Sequence, residues 1–356
     1  MSRMRATEAL ARPPGSTEHL FATLSWYREL VLERIQELVP KNRYVRTLYG
    51  LMLEYPLREG KGFRPALCLS TCQACGGKLE DGLDTAAALE MFHNAFLIHD
   101  DVEDASESRR GYPTLHRKYG VPIATNVGDA LNMLAMRTLL RNTETLGLER
   151  ALTIIYEVER MARESTEGQS LELDWVHGSR SSVRIRDYFL MTYKKTCWYT
   201  CIAPMRVGAL IAGVHRRDLS DFLPLGFRIG AAFQIQDDVL NLDAEERLYG
   251  KEIGGDIAEG KRTLIAIHAL QTAEGSTRDR LSAIYAKPRE AKTVEEIAWV
   301  LAAMRRQGSV AFAKDISRRL TLSAKRLFER RFDWLAPSPH RAFLEEMFQY
   351  MIDRKL

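Results

Sequence analysis

Apolar residues recur with a period of about 3.6 from residue 18 to the end of the chain, and strand-like alternation is almost absent. The periodic segments run over 18–39, 64–76, 83–100, 125–142, 149–174, 184–213, 221–239, 261–273, 293–305, 309–330 and 339–354. Gly and Pro gather between them, at Gly60-Lys61-Gly62, Gly76-Gly77, Gly111-Tyr112-Pro113, Gly120-Val121-Pro122 and from Gly250 to Gly255. The spacing predicts an all-α bundle of ten or more helices around an apolar interior. Residues 274–296, polar and containing Pro288, read as a loop with some helix. Pro13-Pro14-Gly15 marks residues 1–16 as a disordered leader, and Ser16-Thr17-Glu18 supplies caps for a first helix. With no composition shift and no internal repeat, residues 17–356 read as one domain.

A hydrophobic share of 46% against 28% charged residues supports a sizeable core. The net charge of +4 is too small to argue for nucleic acid, although cations gathered locally can still seat a small anion. Cys68, Cys72, Cys75, Cys197 and Cys201 are spaced for helix faces, which suits small core residues better than a disulfide framework or zinc. Arg3 and Arg5 lack a following apolar run, so no secretory signal is read. No apolar stretch reaches the roughly 20 residues of an integral membrane segment. A cytoplasmic location is expected.

Two acidic clusters interrupt this pattern. Asp100, Asp101 and Asp104 follow the largely apolar run Leu89–His99, and Asp237, Asp238 and Asn241 follow Ala231–Gln236. In a helix, residues at i, i+1 and i+4 project within an arc of about 100°. Carboxylates at the end of a burying face are costly unless a cation neutralises them. Hard divalent ions are the natural partner, and Mg²⁺ prefers a few carboxylates completed by water and substrate phosphate. Basic residues lie close by: Arg109-Arg110 after the first cluster, Lys251 and Lys261 around Gly254-Gly255-Asp256 after the second, and Lys195-Thr196 between them. Gly60-Lys61-Gly62-Phe63-Arg64 sets two cations on flexible backbone just before a helix, a seat for phosphate that needs no metal. Two anion sites beside an apolar cavity, one of them metal-bridged, point to ionisation of an allylic diphosphate and quenching of the cation by a second substrate.

With these motifs the chain resembles the trans-type isoprenyl diphosphate synthases, the head-to-tail prenyl elongases, over roughly residues 20–355. The likeness rests on Gly60–Pro65, His93–Asp104 with Arg109-Arg110-Gly111, Gly168–Glu172, Lys195-Thr196, Phe233–Asp238 and Lys251–Lys261. The resemblance implies the isoprenoid synthase fold, a homodimer and three Mg²⁺ per site. By the same likeness Asp100 and Asp104 bind two ions, Asp101 orders that shell, and Asp237 carries the third with support from Asp238. Arg109, Lys195 and Lys261 would hold the allylic diphosphate with Lys251 nearby, Gln169 belongs to the substrate-binding set, and Glu172 matches an acidic position near the metals. Lys61, Arg64, His93 and Arg110 would hold isopentenyl diphosphate, with the basic tail Arg354-Lys355 closing over it. Thr196 and Gln234 would flank the developing carbocation, and released pyrophosphate would take the final proton. Trp175, Trp198 and Tyr199 read as core.

Phe96 and Ala95, about one turn before Asp100, are expected to form part of the cavity floor. A bulky ring there shortens the product, whereas Ala95 with Asn241 resembles geranylgeranyl-makers, and C20 is favoured over C15. The rival readings are a terpene cyclase on the same fold, which has no use for Lys61, Arg64, His93 and Arg110, and a non-catalytic partner subunit, which has no need of two complete metal motifs.

Overall fold

A computed structural model of the chain describes residues 17–58, 60–178, 183–243 and 254–353. The leader expected over residues 1–16, Lys251 and the Arg354-Lys355 tail lie outside the described residues. The chain divides into two compact units. The first takes in residues up to 161, 199–224 and 328–348, and the second takes in 162–198, 225–327 and the C-terminal residues from 349.

The first unit opens with α1 (Thr17–Leu38), whose Leu20, Leu24, Tyr27, Val31 and Ile35 recur every three or four residues and are all buried. Removing such side chains from water contributes roughly 1.5–3 kcal/mol each. That stripe lies on α2 (Phe63–Ala74) and α3 (Leu79–Glu103). α3 buries residues on every side, Ala86, Ala87, Ala88, Met91, Phe92, Ala95 and Ile98 among them, because α4 (Val121–Leu140) and other helices surround it. A helix enclosed in this way needs no polar face until its last turn. The expected apolar runs at 18–39, 64–76, 83–100 and 125–142 all match helices.

α5 (Leu148–His177) follows, then α6 (Ile185–Thr192), a π-helical stretch Tyr193–Ile202, and α7 (Ala203–Ile211). Then come α8 (Phe222–Asp243), α9 (Leu264–Thr272), α10 (Gly275–Tyr285), α11 (Val294–Arg306) and α12 (Ser309–Arg331), which build most of the second unit. Its core joins Trp175, Tyr188, Ile235, Val239, Leu264, Ile265, Val300 and Met304. Thr293 caps α11 through the Glu296 amide, and the Glu296 side chain bonds back to the Thr293 amide. In 274–296, read as a loop with some helix, α10 is the helical part: only Leu281, Ile284 and Tyr285 of that polar helix are buried, too short a stripe to mark its bounds in the sequence. α13 (Pro339–Asp353) ends the described chain.

The β-structure among the described residues is one two-stranded hairpin, with Ser108 opposite Pro113 and Arg109 opposite Tyr112. No helix among the described residues is long and apolar enough to cross a membrane. The five cysteines are free, four of them buried, and burial pushes the thiols of Cys72, Cys75 and Cys201 up to about 12. Their burial places Cys68, Cys72, Cys197 and Cys201 in the core.

Candidate active site

In the first unit the acidic cluster occupies the C-terminal turn of α3, where the helix dipole already presents negative charge and added carboxylates are unfavourable. The three aspartates divide there. Asp100 and Asp104 stay half-exposed one turn apart, with the Asp104 amide donating to the Asp100 carbonyl at 2.9 Å. Asp101 is fully buried. Arg109 Nε donates to both its oxygens at 2.8 Å, Arg109 Nη2 adds a bond of 2.5 Å, and the Tyr55 hydroxyl donates at 2.5 Å. A shared edge of three carboxylates is therefore not what the cluster presents: two face outward, and the third binds the chain to itself.

The hairpin explains how adjacent arginines serve different places. Arg110 and Gly111 both have positive φ, 54° and 77°, as a tight two-residue hairpin turn requires. Arg109 reaches Asp101 and lies 3.5 Å from Asp100, while Arg110 Nη1 donates to the carbonyls of Tyr55 and Arg58 at 3.4 and 3.3 Å. Arg110 thus lies beside Gly60, next to exposed Lys61 and half-buried Arg64. Arg64 Nη2 donates to Thr200 Oγ1 at 2.9 Å, and its guanidinium lies 4.3 Å from the centre of the Tyr199 ring. His93 tilts against the same ring at 5.8 Å, and Phe96 meets it edge-on at 5.8 Å. Burial and the guanidiniums of Arg64, Arg110 and Arg109 hold His93 well below the usual imidazole range, so it serves this seat as a neutral ring. Its Nδ1 is buried without a hydrogen-bond partner.

In the second unit the π-helical stretch carries Lys195 and Thr196. Such wider turns recur at functional sites because they re-aim side chains. Lys195 Nζ pairs with Glu172 of α5, and Gln169, half-buried, lies one residue beyond Gly168, which abuts the Lys195 backbone. Thr196 Oγ1 donates to Gln234 Oε1 at 2.9 Å, Gln234 Nε2 donates to Asp238 Oδ1 at 2.8 Å, and the Tyr188 hydroxyl donates to Asp238 Oδ2 at 3.0 Å. Asp237 is half-exposed beside this chain of bonds. Burial, then the charges of Asp256 and Asp237, push the Asp238 carboxyl well above its usual range. Lys261 pairs with Glu259 at 2.8 Å. Asn241 does not extend the acidic edge: its side-chain oxygen accepts from the Asp256 amide at 3.2 Å and its carbonyl from Gly254 at 2.9 Å, anchoring the following turn.

Tyr199, read as core, is half-exposed and joins His93, Arg64 and Phe96. Tyr55 and Tyr188, which no motif pointed to, each donate to the buried member of an aspartate pair. The available signal was position alone: Tyr199 stands one helical turn after Thr196. The donors suit Mg²⁺, since Asp100, Asp104 and Asp237 offer hard oxygens at or near helix C-termini, where a cation relieves both the dipole and the crowded carboxylates.

The polyprenyl synthetase family model matches residues 46–304. A short chain isoprenyl diphosphate synthase of Methanothermobacter thermautotrophicus is 32% identical over 329 residues, 92% of this chain and 97% of that protein. A geranylgeranyl pyrophosphate synthetase from Pyrococcus horikoshii is similar in structure at a TM-score of 0.83 and 31% identity, covering 95% of this chain and 99% of that one. A geranylgeranyl pyrophosphate synthase from Corynebacterium glutamicum, complexed with isoprenyl diphosphate and magnesium, gives a TM-score of 0.83 at 27% identity, covering 93% of this chain and 99% of that one.

Proposed function

Because the chain belongs to the polyprenyl synthetase family, we propose that it is a trans-prenyltransferase that condenses isopentenyl diphosphate with an allylic diphosphate to give a C20 prenyl diphosphate. The observation that carries this reading is the pairing, within one unit, of two outward carboxylates with a separate cationic seat. Asp100 and Asp104 suit a metal-bridged diphosphate, whereas Lys61, Arg64, His93 and Arg110 suit one held by side chains alone. A terpene cyclase would need only the first.

Three Mg²⁺ ions, held by Asp100, Asp104 and Asp237, would stabilise the negative charge that develops on the departing diphosphate. Lys195 and Lys261, with Lys251 and Gln169, would bind that diphosphate, Lys195 and Lys261 exchanging their carboxylate partners for phosphate oxygens. Arg109, committed to Asp101, would act on it mainly through its Nη2 beside Asp100. Asp101 and Asp238 orient their outward neighbours. When the allylic C1–O bond breaks, the Thr196 and Gln234 oxygens would face the cation. The alkene of isopentenyl diphosphate forms the new C–C bond, and the proton lost passes to pyrophosphate. Exclusion of water would protect the cation from being quenched. We also propose that the enzyme works in the cytoplasm as a homodimer.

The test is to incubate the purified chain with Mg²⁺, isopentenyl diphosphate and allylic diphosphates of C5, C10 or C15, with products read by mass. Elongation to C20 is expected. Hydrocarbon release without elongation would favour the cyclase, and no turnover of any primer would favour the partner subunit.

A further inference from the structure

We propose that Arg28 of α1, a residue outside every recognised motif, is a further ligand of the isopentenyl diphosphate seat, contributing a guanidinium opposite Arg110. The proposal rests on the reading of the Gly60–Arg64 loop as that seat. A cleft in the first unit is lined by Arg28, Gly60, Gly62, Glu90 and Arg110 together. The two glycines explain why the walls stand so close. A Cβ on Gly60 would fall 2.8 Å from the Arg110 guanidinium, and a Cβ on Gly62, where φ is +63°, would fall 3.1 Å from Cβ of Arg28. The backbone on either side of Lys61 is therefore pressed between the two arginines.

Charge points the same way. Half-buried Glu90 lies in the field of Arg64, Arg110 and Arg28, and its Oε2 is buried without a hydrogen-bond partner. Nε of Arg64 is likewise buried without one. One carboxylate cannot balance three guanidiniums, and a bound diphosphate supplies the missing negative charge with oxygens able to accept from several donors. Arg28 stands on a long helix among the buried Leu24, Tyr27 and Val31, and Val31, one turn on, lines the same cleft, so its side chain meets the cleft from a packed base.

Steady-state kinetics and metal-free calorimetric titration with isopentenyl diphosphate test this on the purified full chain, comparing the parent, Arg28→Gln, Arg28→Lys and Arg64→Gln. Losing one charge-assisted contact is expected to raise KM and Kd for isopentenyl diphosphate about ten- to hundredfold in Arg28→Gln. The allylic KM should stay within about twofold, the melting temperature should be unchanged, and Arg28→Lys should recover part of the loss. If Arg28→Gln binds isopentenyl diphosphate like the parent while Arg64→Gln does not, the assignment of Arg28 is overturned. A parallel rise in both KM values overturns it as well, by indicating a general structural role. If Arg64→Gln also binds normally, the reading of the seat fails and the proposal with it.

Discussion

Asp101→Asn isolates the division of labour within the first acidic cluster. Asp101 is fully buried and accepts from Nε and Nη2 of Arg109 and from the Tyr55 hydroxyl, while Arg109 itself is only 8% exposed. Replacing the carboxylate by an amide sets a donor against donors and leaves a buried guanidinium without its counter-charge. Breaking one side of such a pair costs about 3–5 kcal/mol. An unfolding entropy of roughly 2.1 cal/mol/K per residue, taken over 356 residues, converts this into a fall in Tm of about 4–7 °C. Because Asp100 and Asp104 remain, the apparent Mg²⁺ affinity should weaken by about ten- to hundredfold, as for loss of a group supporting a metal ligand, and saturating Mg²⁺ should restore most of the turnover. Removing the stranded charge as well, in Asp101→Asn with Arg109→Leu, should recover stability relative to the single change. Differential scanning calorimetry and a Mg²⁺ titration of initial rates supply both readouts. Parental Tm combined with activity that Mg²⁺ cannot restore would refute the reasoning, because Asp101 would then be a direct metal ligand.

Phe96, tilted on Phe92 at 6.3 Å and edge-on to Tyr199, should act as a stop for the growing chain, so Phe96→Ala should shift products beyond C20 by mass; an unchanged distribution removes it from the cavity floor. Gly168→Ala would put a Cβ 2.2 Å from the Lys195 amide nitrogen, and since backbone cannot yield that far, α5 and the π-helical stretch must separate; a loss of about 3 kcal/mol in urea unfolding, the upper end for overpacking, is expected, and a loss below about 1 kcal/mol would contradict that packing. Burial raises the Glu90 carboxyl above its ordinary 4.5 despite Arg28, Arg64, Arg110 and a bond from Asn94. Its ionised form is therefore favoured in the unfolded chain, and the parent loses stability as pH rises from 4.5 through the folded value. Glu90→Gln should melt higher than the parent at pH 7 and equally below pH 4.5, whereas an equal difference at both pH values would exclude this titration.

The helices were legible wherever a long apolar stripe had to be buried, as in α1, α3 and α8, because burial at that period is the dominant folding term. The bounds of α10 were not legible because three buried residues are too few to make a period. The π-helical stretch was invisible for another reason: the run from 184 to 213 reads as continuous helix, and the close approach of Gly168 to the Lys195 backbone, which accompanies the wider turn, leaves no periodic signal. At the site, the residue types announced themselves through spacing, but their directions did not. Asp100 and Asp101 are neighbours in sequence, yet one faces solvent and the other the core, a choice made by Arg109 eight residues later and by Tyr55. Tyr199 shows the converse error, since an aromatic on a buried helix is usually packing, and here it also carries Arg64 and His93.

Both acidic pairs follow one plan, an outward aspartate followed by a buried one held by a tyrosine hydroxyl, but they solve their charge differently. Asp101 is met by the Arg109 guanidinium, so the inner half of the first pair is neutralised from within the chain. Among the described residues Asp238 accepts from Gln234 and Tyr188, both neutral donors, and it faces the added charges of Asp237 and Asp256. A hydrogen bond from a neutral group offsets less of a buried carboxylate's desolvation than a cation does. The second pair therefore has the greater need of an external cation, and a divalent ion at Asp237 relieves Asp238 as well. Metal binding at the two clusters should accordingly differ in origin, with a preformed edge at Asp100 and Asp104 and a charge-driven site at Asp237.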